Sequence, residues 1–243
     1  MSAALSSYTL EDQERMARAA NYFAWQHRLV IQELCGELGQ RVIEIGCGIG
    51  NFTGLLLDTR EAVAAIDVEP ACIDRLLQRY PDRANLEAFP SDVMAPAFAG
   101  LQSFRADSCV CLNVLEHIED DGEALRRMAS VLSPGGIVVL LVPAFPSLYG
   151  PIDKMLGHHR RYTRASVSKL ADAVGLNVKS SRYLNAIGFF GWWANAHILK
   201  RTEQSSTQIE VFDRYVVPVS SRLESWMHPP FGQSLFIVLK KPF

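Results

Sequence analysis

The sequence lacks an excess of charge of either sign: 24 lysines and arginines stand against 26 aspartates and glutamates, a formal net charge of −2. Dedicated nucleic-acid binders carry a marked basic excess, so no nucleic-acid partner is expected. Cysteine is scarce as well. Cys35, Cys47, Cys72, Cys109 and Cys111 form an odd set without CxxC spacing. That argues against a disulfide framework and against a zinc site, so no metal is expected, and a reducing cytoplasmic location fits best. Cys109 and Cys111 alternate within an apolar run and read as small core residues. The opening MSAALSSYTLEDQERM has neither the basic start nor the apolar run of a secretory signal. The aromatic-rich LNAIGFFGWWANAHIL, from Leu184 to Leu199, is broken by Asn185, Asn195 and His197. It falls short of the ~20 apolar residues that a membrane span needs. It reads as a helix covering the core or packing in a homodimer interface, or else as a lid over a lipophilic substrate or a peripheral contact with a membrane surface. No internal repeat, low-complexity tract or linker divides the chain.

What is present suits one domain with elaborated ends, since 243 residues at 49% hydrophobic composition can bury a core without staples. Residues 10 to 38 carry apolar residues at helical spacing and end at Gly39, giving an N-terminal helical cap over 1–39. From residue 40 to 143 strands alternate with helices. RVIEI, AVAAID, NLEAFPSD, SCVCLNV and GGIVVLLVP are apolar strand-like runs, and NFTGLLLDT, PACIDRLLQRY and DGEALRRMASVLS lie between them as helices. The alternation predicts an α/β fold with a doubly wound, mostly parallel sheet. Residues 144–230 form a substrate-side insertion. It opens with the irregular PAFPSLYGPIDKMLGHHRRYT, returns to helix in RASVSKLADAVG with Thr163 as cap and Gly175 as stop, and is interrupted at Pro218. SLFIVLKK, within 231–243, is the final strand.

The stretch VIEIGCGIGNFT is where chemistry enters. Gly46, Gly48 and Gly50 turn the first strand into a helix, and glycines there let a ligand approach the backbone. A phosphate-binding loop would carry Gly-Lys-Ser/Thr, and this loop has no lysine. A dinucleotide fingerprint would be GxGxxG, whereas Asn51 stands where the third glycine should sit. Glu44 just ahead of the turn suits a ligand with an ammonium or sulfonium charge. Asp67 at the end of the second strand offers a carboxylate to a ribose, and Asp92 with the Val93 N–H offers a pair to an adenine. At successive strand ends these residues converge on one adenosine-sized site.

VIEIGCGIG, AAIDVEP, PSDV and LNVLEHIEDD, in this order, resemble a class I S-adenosylmethionine-dependent methyltransferase, in the broad group that includes ubiquinone- and menaquinone-biosynthesis enzymes. The resemblance covers roughly Arg41 to Val142 and is specific for the superfamily, not for the acceptor. It implies a Rossmann-like seven-stranded sheet with the last strand antiparallel, and S-adenosyl-L-methionine as cofactor. It places Glu44, Gly46, Gly48 and Gly50 around the methionine part, Asp67 and Val68 at the ribose, Asp92 and Val93 at the adenine, and the Asn113 carbonyl at the ammonium.

Methyl transfer from a sulfonium is an in-line displacement in which alignment supplies much of the rate. A base helps where the acceptor must lose a proton. His117, four residues past a strand end, and His159 in the insertion are candidate bases; a structural role in ordering the loop is the alternative for His117. Arg160 and Arg161, with His158, Tyr149 and Tyr162, are candidate substrate residues. Their guanidinium forks suit a carboxylate or phosphate, unless they pair with acids such as Asp153 or Asp172. With Phe145 and the Trp192–Trp193 pair overhead, a small aromatic or lipophilic acceptor with an acidic group is expected, methylated on O, N or C. Tyr22, Phe23 and Trp25 are either lid aromatics or core. An NAD(P)-dependent oxidoreductase is one rival, and it predicts GxGxxG and a Tyr-xxx-Lys constellation that Tyr162 does not supply. A non-catalytic nucleotide-binding module on the same fold is another, and it would typically have lost the glycines or acids.

Overall fold

Apolar runs short enough for strands, each followed by an amphipathic helix, bury a sheet on both faces. The computed structural model describes residues 13–14, 17–34, 37–199 and 206–243. Its strands are β1 (Arg41–Ile45), β2 (Ala62–Asp67), β3 (Leu86–Pro90), β4 (Ala106–Leu112), β5 (Leu132–Pro143), β6 (Asn177–Leu184) and β7 (Ser234–Lys240). They form one seven-stranded sheet in the order β3-β2-β1-β4-β5-β7-β6. β1 to β5 pair in parallel, and β7 lies antiparallel between β5 and β6. SLFIVLKK is therefore the antiparallel strand the sequence reading expects. The order reverses between β1 and β4, so a crevice opens beyond the carboxyl ends of those strands.

The helices are α1 (Ala20–Glu33), α2 (Thr53–Leu57), α3 (Pro70–Arg79), α4 (Asp121–Val131), α5 (Pro151–Met155), α6 (Arg164–Ala173), α7 (Ala186–Ala194), α8 (Ser206–Val211) and α9 (Val217–Trp226). Local chemistry sets their ends. Pro70 opens α3, Asp120 accepts from the Glu123 N–H at 2.9 Å ahead of α4, and Thr163 accepts from the Ser166 N–H at 3.1 Å ahead of α6. Gly175, at φ +76°, follows α6.

Strand alternation divides the core between the two faces. Ile43, Cys109, Cys111 and Leu140 meet Leu125 and Met128 of α4 on one side. Val42, Val110, Val139 and Leu141 meet Trp25 and Leu29 of α1 and Leu56 of α2 on the other. Cys109 and Cys111 are fully buried free thiols, while Cys35 lies outside the described residues.

One expectation needs correction. The 144–230 region contains a sheet strand, β6, whose first four residues Asn177, Val178, Lys179 and Ser180 are exposed. An edge strand of this kind is polar and carries no apolar run for the eye to find. Pro218 divides the late helices as expected: it sits in the first turn of α9, where its missing N–H costs nothing, directly after a π turn over Phe212–Val216. The N-terminal cap is helical in two pieces among the described residues, at 13–14 and over α1, as the apolar spacing of residues 10 to 38 predicts.

Candidate active site

The turn after β1 is held shut by backbone. Gly46 and Cys47 N–H both donate to Ile66 O of β2, at 2.8 and 3.0 Å. Gly46 has φ +73° and Gly48 φ +53°, and a Cβ on Gly46 would lie 2.2 Å from Val114 Cγ2, so no larger residue fits. Asp67 ties the turn to β2: Oδ2 accepts from Gly48 N–H at 2.8 Å and Oδ1 from Glu69 N–H at 3.0 Å. Burial raises its pKa against the pull of those amides. Asp92 accepts from Met94 N–H at 2.8 Å. Asn113 takes the left-handed conformation at φ +55°, with its N–H on Leu141 O at 2.7 Å.

These strand ends border one cavity of about 1210 Å³. That exceeds the ~300–1,000 Å³ of a usual small-molecule pocket, room for a nucleoside cofactor together with an acceptor. Glu44, Gly46, Gly48, Asp67, Val68, Asp92, Val93 and Asn113 all line it. Gly50 does not: its φ of +83° faces a Cβ position toward Leu76 and Tyr80, so this glycine serves packing against α3 instead of the ligand. Glu44 is buried, and its Oε2 has no hydrogen-bond partner among the described residues. Burial, with the charge of Asp67 added, pushes its pKa up to about 8. A buried acid left in that condition is fitted to a cationic ligand.

The opposite wall comes from the 3-10 turn Leu115–His117 and the insertion. Asp153 is fully buried and takes three donors: Arg161 Nε at 2.8 Å, His158 Nδ1 at 2.9 Å and Gly150 N–H at 2.9 Å. Burial works to raise the Asp153 pKa, but His158 and Arg161 hold it below the ordinary value. Arg161 also donates to Ala144 O at 3.2 Å, and its guanidinium lies 4.8 Å from the centroid of the Trp192 ring. His117 packs edge-on against His158 at 4.7 Å between centroids. Burial, then the nearby His158 and His159, lower its pKa to about 4. Glu116 is buried with Oε2 unpartnered among the described residues, and burial raises it to about 7.

Several sequence-predicted residues fall elsewhere. His159 is exposed and outside the cavity lining, held through its N–H on Glu116 O at 2.8 Å. Arg160 pairs with Asp121 at 2.8 Å, outside the cavity. Tyr162 is buried, its hydroxyl 3.0 Å from Asp121 Oδ2, and Tyr149 donates to His158 O at 2.7 Å. Phe145 stacks on Tyr183 at 4.7 Å. The cavity therefore receives His117, His158 and Arg161 from the predicted set, together with Glu116 and Trp192. Glu116 is not among the sequence candidates although it stands beside His117 in LEH; Asp153, one of the acids the sequence offers as a partner for the arginines, pairs with Arg161 at 2.8 Å.

Two elements roof the site. Gly188, Gly191 and Trp192 on one side of α7 line the cavity, while Phe190 and Trp193 on the other are 61% and 44% exposed. The aromatic segment is thus a cover. Its start is fixed by Glu224 of α9, which accepts from Asn185 and Ala186 N–H, both at 2.9 Å. Tyr22 and Phe23 of α1 also line the cavity, whereas Trp25 is core. Asp213, in the π turn, caps α1 through Tyr22 N–H at 2.8 Å.

The sheet order, the glycine turn and the acids at the ends of β1, β2 and β3 define a nucleoside-cofactor domain of the methyltransferase kind. A family model described as a methyltransferase domain matches residues 9–181, and the chain belongs to that family. The chain is 27% identical over 168 residues to a probable S-adenosylmethionine-dependent methyltransferase of Mycolicibacterium smegmatis, covering 66% of this chain and 62% of that one. It is 30% identical over 112 residues to the ubiquinone biosynthesis O-methyltransferase of Ralstonia nicotianae, covering 44% of this chain and 45% of that one. The matched region thus spans less than two thirds of either relative. The crystal structure of the N-methyltransferase NodS from Bradyrhizobium japonicum, in complex with S-adenosyl-L-homocysteine, shares the fold at TM-score 0.56 and 18% identity, covering 90% of this chain and 86% of that one.

Proposed function

We propose that the protein transfers the methyl group of S-adenosylmethionine to a small lipophilic acceptor. One observation carries the reading: a single cavity runs from the buried, unpartnered Glu44 and the glycine turn to His117, His158 and Trp192. S-adenosylmethionine supplies an electrophilic methyl on a sulfonium. Glu44 and the Asn113 carbonyl would hold its cationic end, Asp67 its ribose, and Asp92 with the Val93 N–H its adenine. The roof of α1 and α7 excludes water and aligns the acceptor, which is where most of the rate of such a displacement arises. Apolar and aromatic side chains dominate the acceptor end. An acidic group on the acceptor loses its expected clamp, since Arg161 is neutralised by Asp153 and Arg160 by Asp121. With its pKa near 4, His117 is neutral at pH 7 but a weak base, so we assign it a positioning role.

The outer surface supports contact with a lipid layer. Val211, Tyr215, Val219, Leu223 and Trp226 are all exposed, at spacings of three and four that put them on one side of the α8–α9 run. Arg214 and Arg222 are exposed beside them. With Phe190 and Trp193 of α7 and Ile198 of the π turn Asn195–Leu199 that follows it, this is the pattern of an interfacial surface; among the described residues no helix is long and apolar enough to cross a membrane. Cosedimentation with anionic vesicles tests it. A salt-sensitive, Trp226-dependent association is expected, and a concentration-dependent dimer without vesicle binding would assign the stripe to a second copy instead.

Methyl transfer itself is tested by incubating the protein with labelled S-adenosylmethionine and a panel of phenols, amines and lipid quinol precursors. Label on an acceptor, lost in Asp67→Ala, is the expected result; binding of NADH in place of the methyl donor would overturn the reading.

A further inference from the structure

The acceptor end of the cavity holds a cluster that the binding of S-adenosylmethionine does not use. Glu116, His117 and His158 each present a ligand atom, and the three atoms lie within 4.8 Å of one another. All three residues line the cavity. Glu116 is 1% exposed, and its Oε2 has no partner among the described residues, so a carboxylate oxygen is held out of water with nothing to satisfy it. Such an orphan is costly unless a cation completes it.

The two imidazoles are arranged as ligands are. His158 Nδ1 lies 2.9 Å from Asp153 Oδ1, and Asp153 is locked in turn by Arg161 Nε at 2.8 Å and Gly150 N–H at 2.9 Å. With Arg161 supplying the counter-charge, Asp153 is an ionised acceptor, so Nδ1 carries the hydrogen and Nε2 keeps its lone pair. His117 packs edge-on against His158, 4.7 Å between ring centroids, which brings the two rings to one point of the cavity wall. The Asp153 carboxylate behind the His158 ring is the outer support that orients a metal-bound histidine.

We propose that Glu116, His117 and His158 bind one divalent first-row cation, of the zinc class, in the wall of the acceptor cavity. Two imidazoles and one carboxylate with an open position match a three-ligand catalytic site rather than a closed structural one. The open position faces the cavity, where it takes an oxygen of the acceptor, so the site also selects hydroxyl-bearing acceptors; this last part rests on the methyl-transfer reading above. A hydroxyl bound to the cation would give up its proton more readily, to water that leaves before the roof of α1 and α7 covers the acceptor, and its oxygen would keep the lone pair that methylation uses. The buried Arg161–Asp153 pair then has a defined task, to hold the His158 ring.

The test uses the full-length protein freed of metal by chelator and dialysis, with cobalt(II) as a spectroscopic probe and S-adenosylmethionine titrated in parallel by calorimetry. One cobalt per chain is expected, with the visible absorption of a low-coordinate nitrogen–oxygen site. Affinity should fall about tenfold or more in His117→Ala and in His158→Ala, whereas His159→Ala, one residue away and exposed, should bind cobalt as the wild type does. Circular dichroism and an unchanged affinity for S-adenosylmethionine show that the variants are folded. Absence of stoichiometric cobalt binding in the wild type, or equal binding in the two histidine variants, would overturn the site. The two readings separate cleanly: cobalt without S-adenosylmethionine binding defeats the methyl-transfer reading and leaves the metal site, and the reverse defeats the metal site alone.

Discussion

Glu44 carries more of the account than any other single residue. Its pKa stands near 8 in the folded chain against an ordinary 4.5. Between those values the folded state holds a proton that the unfolded chain has released, so stability must fall as pH rises through that window. Glu44→Gln removes the penalty. The variant should gain stability over the wild type as pH goes from 5 to 8, read from urea midpoints, and saturating S-adenosylmethionine should narrow the gap by giving the carboxylate its cation. A constant difference across pH would mean that Glu44 is already compensated. Asp67→Ala addresses the next strand end. It loses both the carboxylate proposed to hold the ribose and the brace on Gly48, and affinity for S-adenosylmethionine should drop about tenfold or more by calorimetry.

Elements were legible in the sequence where one rule decided them. The apolar runs of β1, β2, β4, β5 and β7, the Thr163 cap and the Pro70 start all follow from local chemistry. β6 did not show itself, because an exposed edge strand such as NVKSSRYL has no face to bury until β7 pairs with it. The same division holds at the site. Glu44, Asp67 and Asp92 sit at strand ends fixed by topology, so their convergence could be read in advance. Gly50 could not be separated from Gly46 and Gly48, since only packing against Leu76 and Tyr80 distinguishes it. Arg160, Arg161 and Tyr162 are consecutive, yet only Arg161 reaches the cavity, because the backbone pairing of Tyr162 with Ala144 sets which side each side chain takes. The α7 cover depends on a distant residue, Glu224, whose carboxylate satisfies two amides at its start. Glu224→Ala leaves both unmet and should cost ~1–3 kcal/mol. Hydrogen exchange should speed up in α7 first, while the β4–β5 amides keep their protection; uniform loss of protection would show that the cover does not move separately.

At the scale of the molecule, the sheet is a rigid floor and the helices outside the central repeat are the parts that differ in role. Both faces of the sheet are closed by apolar packing, and Leu140 at its centre is fully buried. Leu140→Ala should destabilise the fold by ~2–5 kcal/mol in denaturant titration without altering the affinity for S-adenosylmethionine of the folded fraction. The roof is assembled from both ends of the described chain, with Asp213 of the late helices capping α1 at the N-terminal side. The proposed acceptor end is therefore built from segments far apart in sequence, and the proposed cofactor end from the ends of neighbouring strands.

The measurement that bears most directly on the central claim is calorimetric titration of the wild-type protein with S-adenosylmethionine and, separately, with NADH. The account predicts saturable one-to-one binding of S-adenosylmethionine, weakened in Asp67→Ala, and no binding of NADH. A folded wild type that binds NADH, or neither ligand, would contradict it.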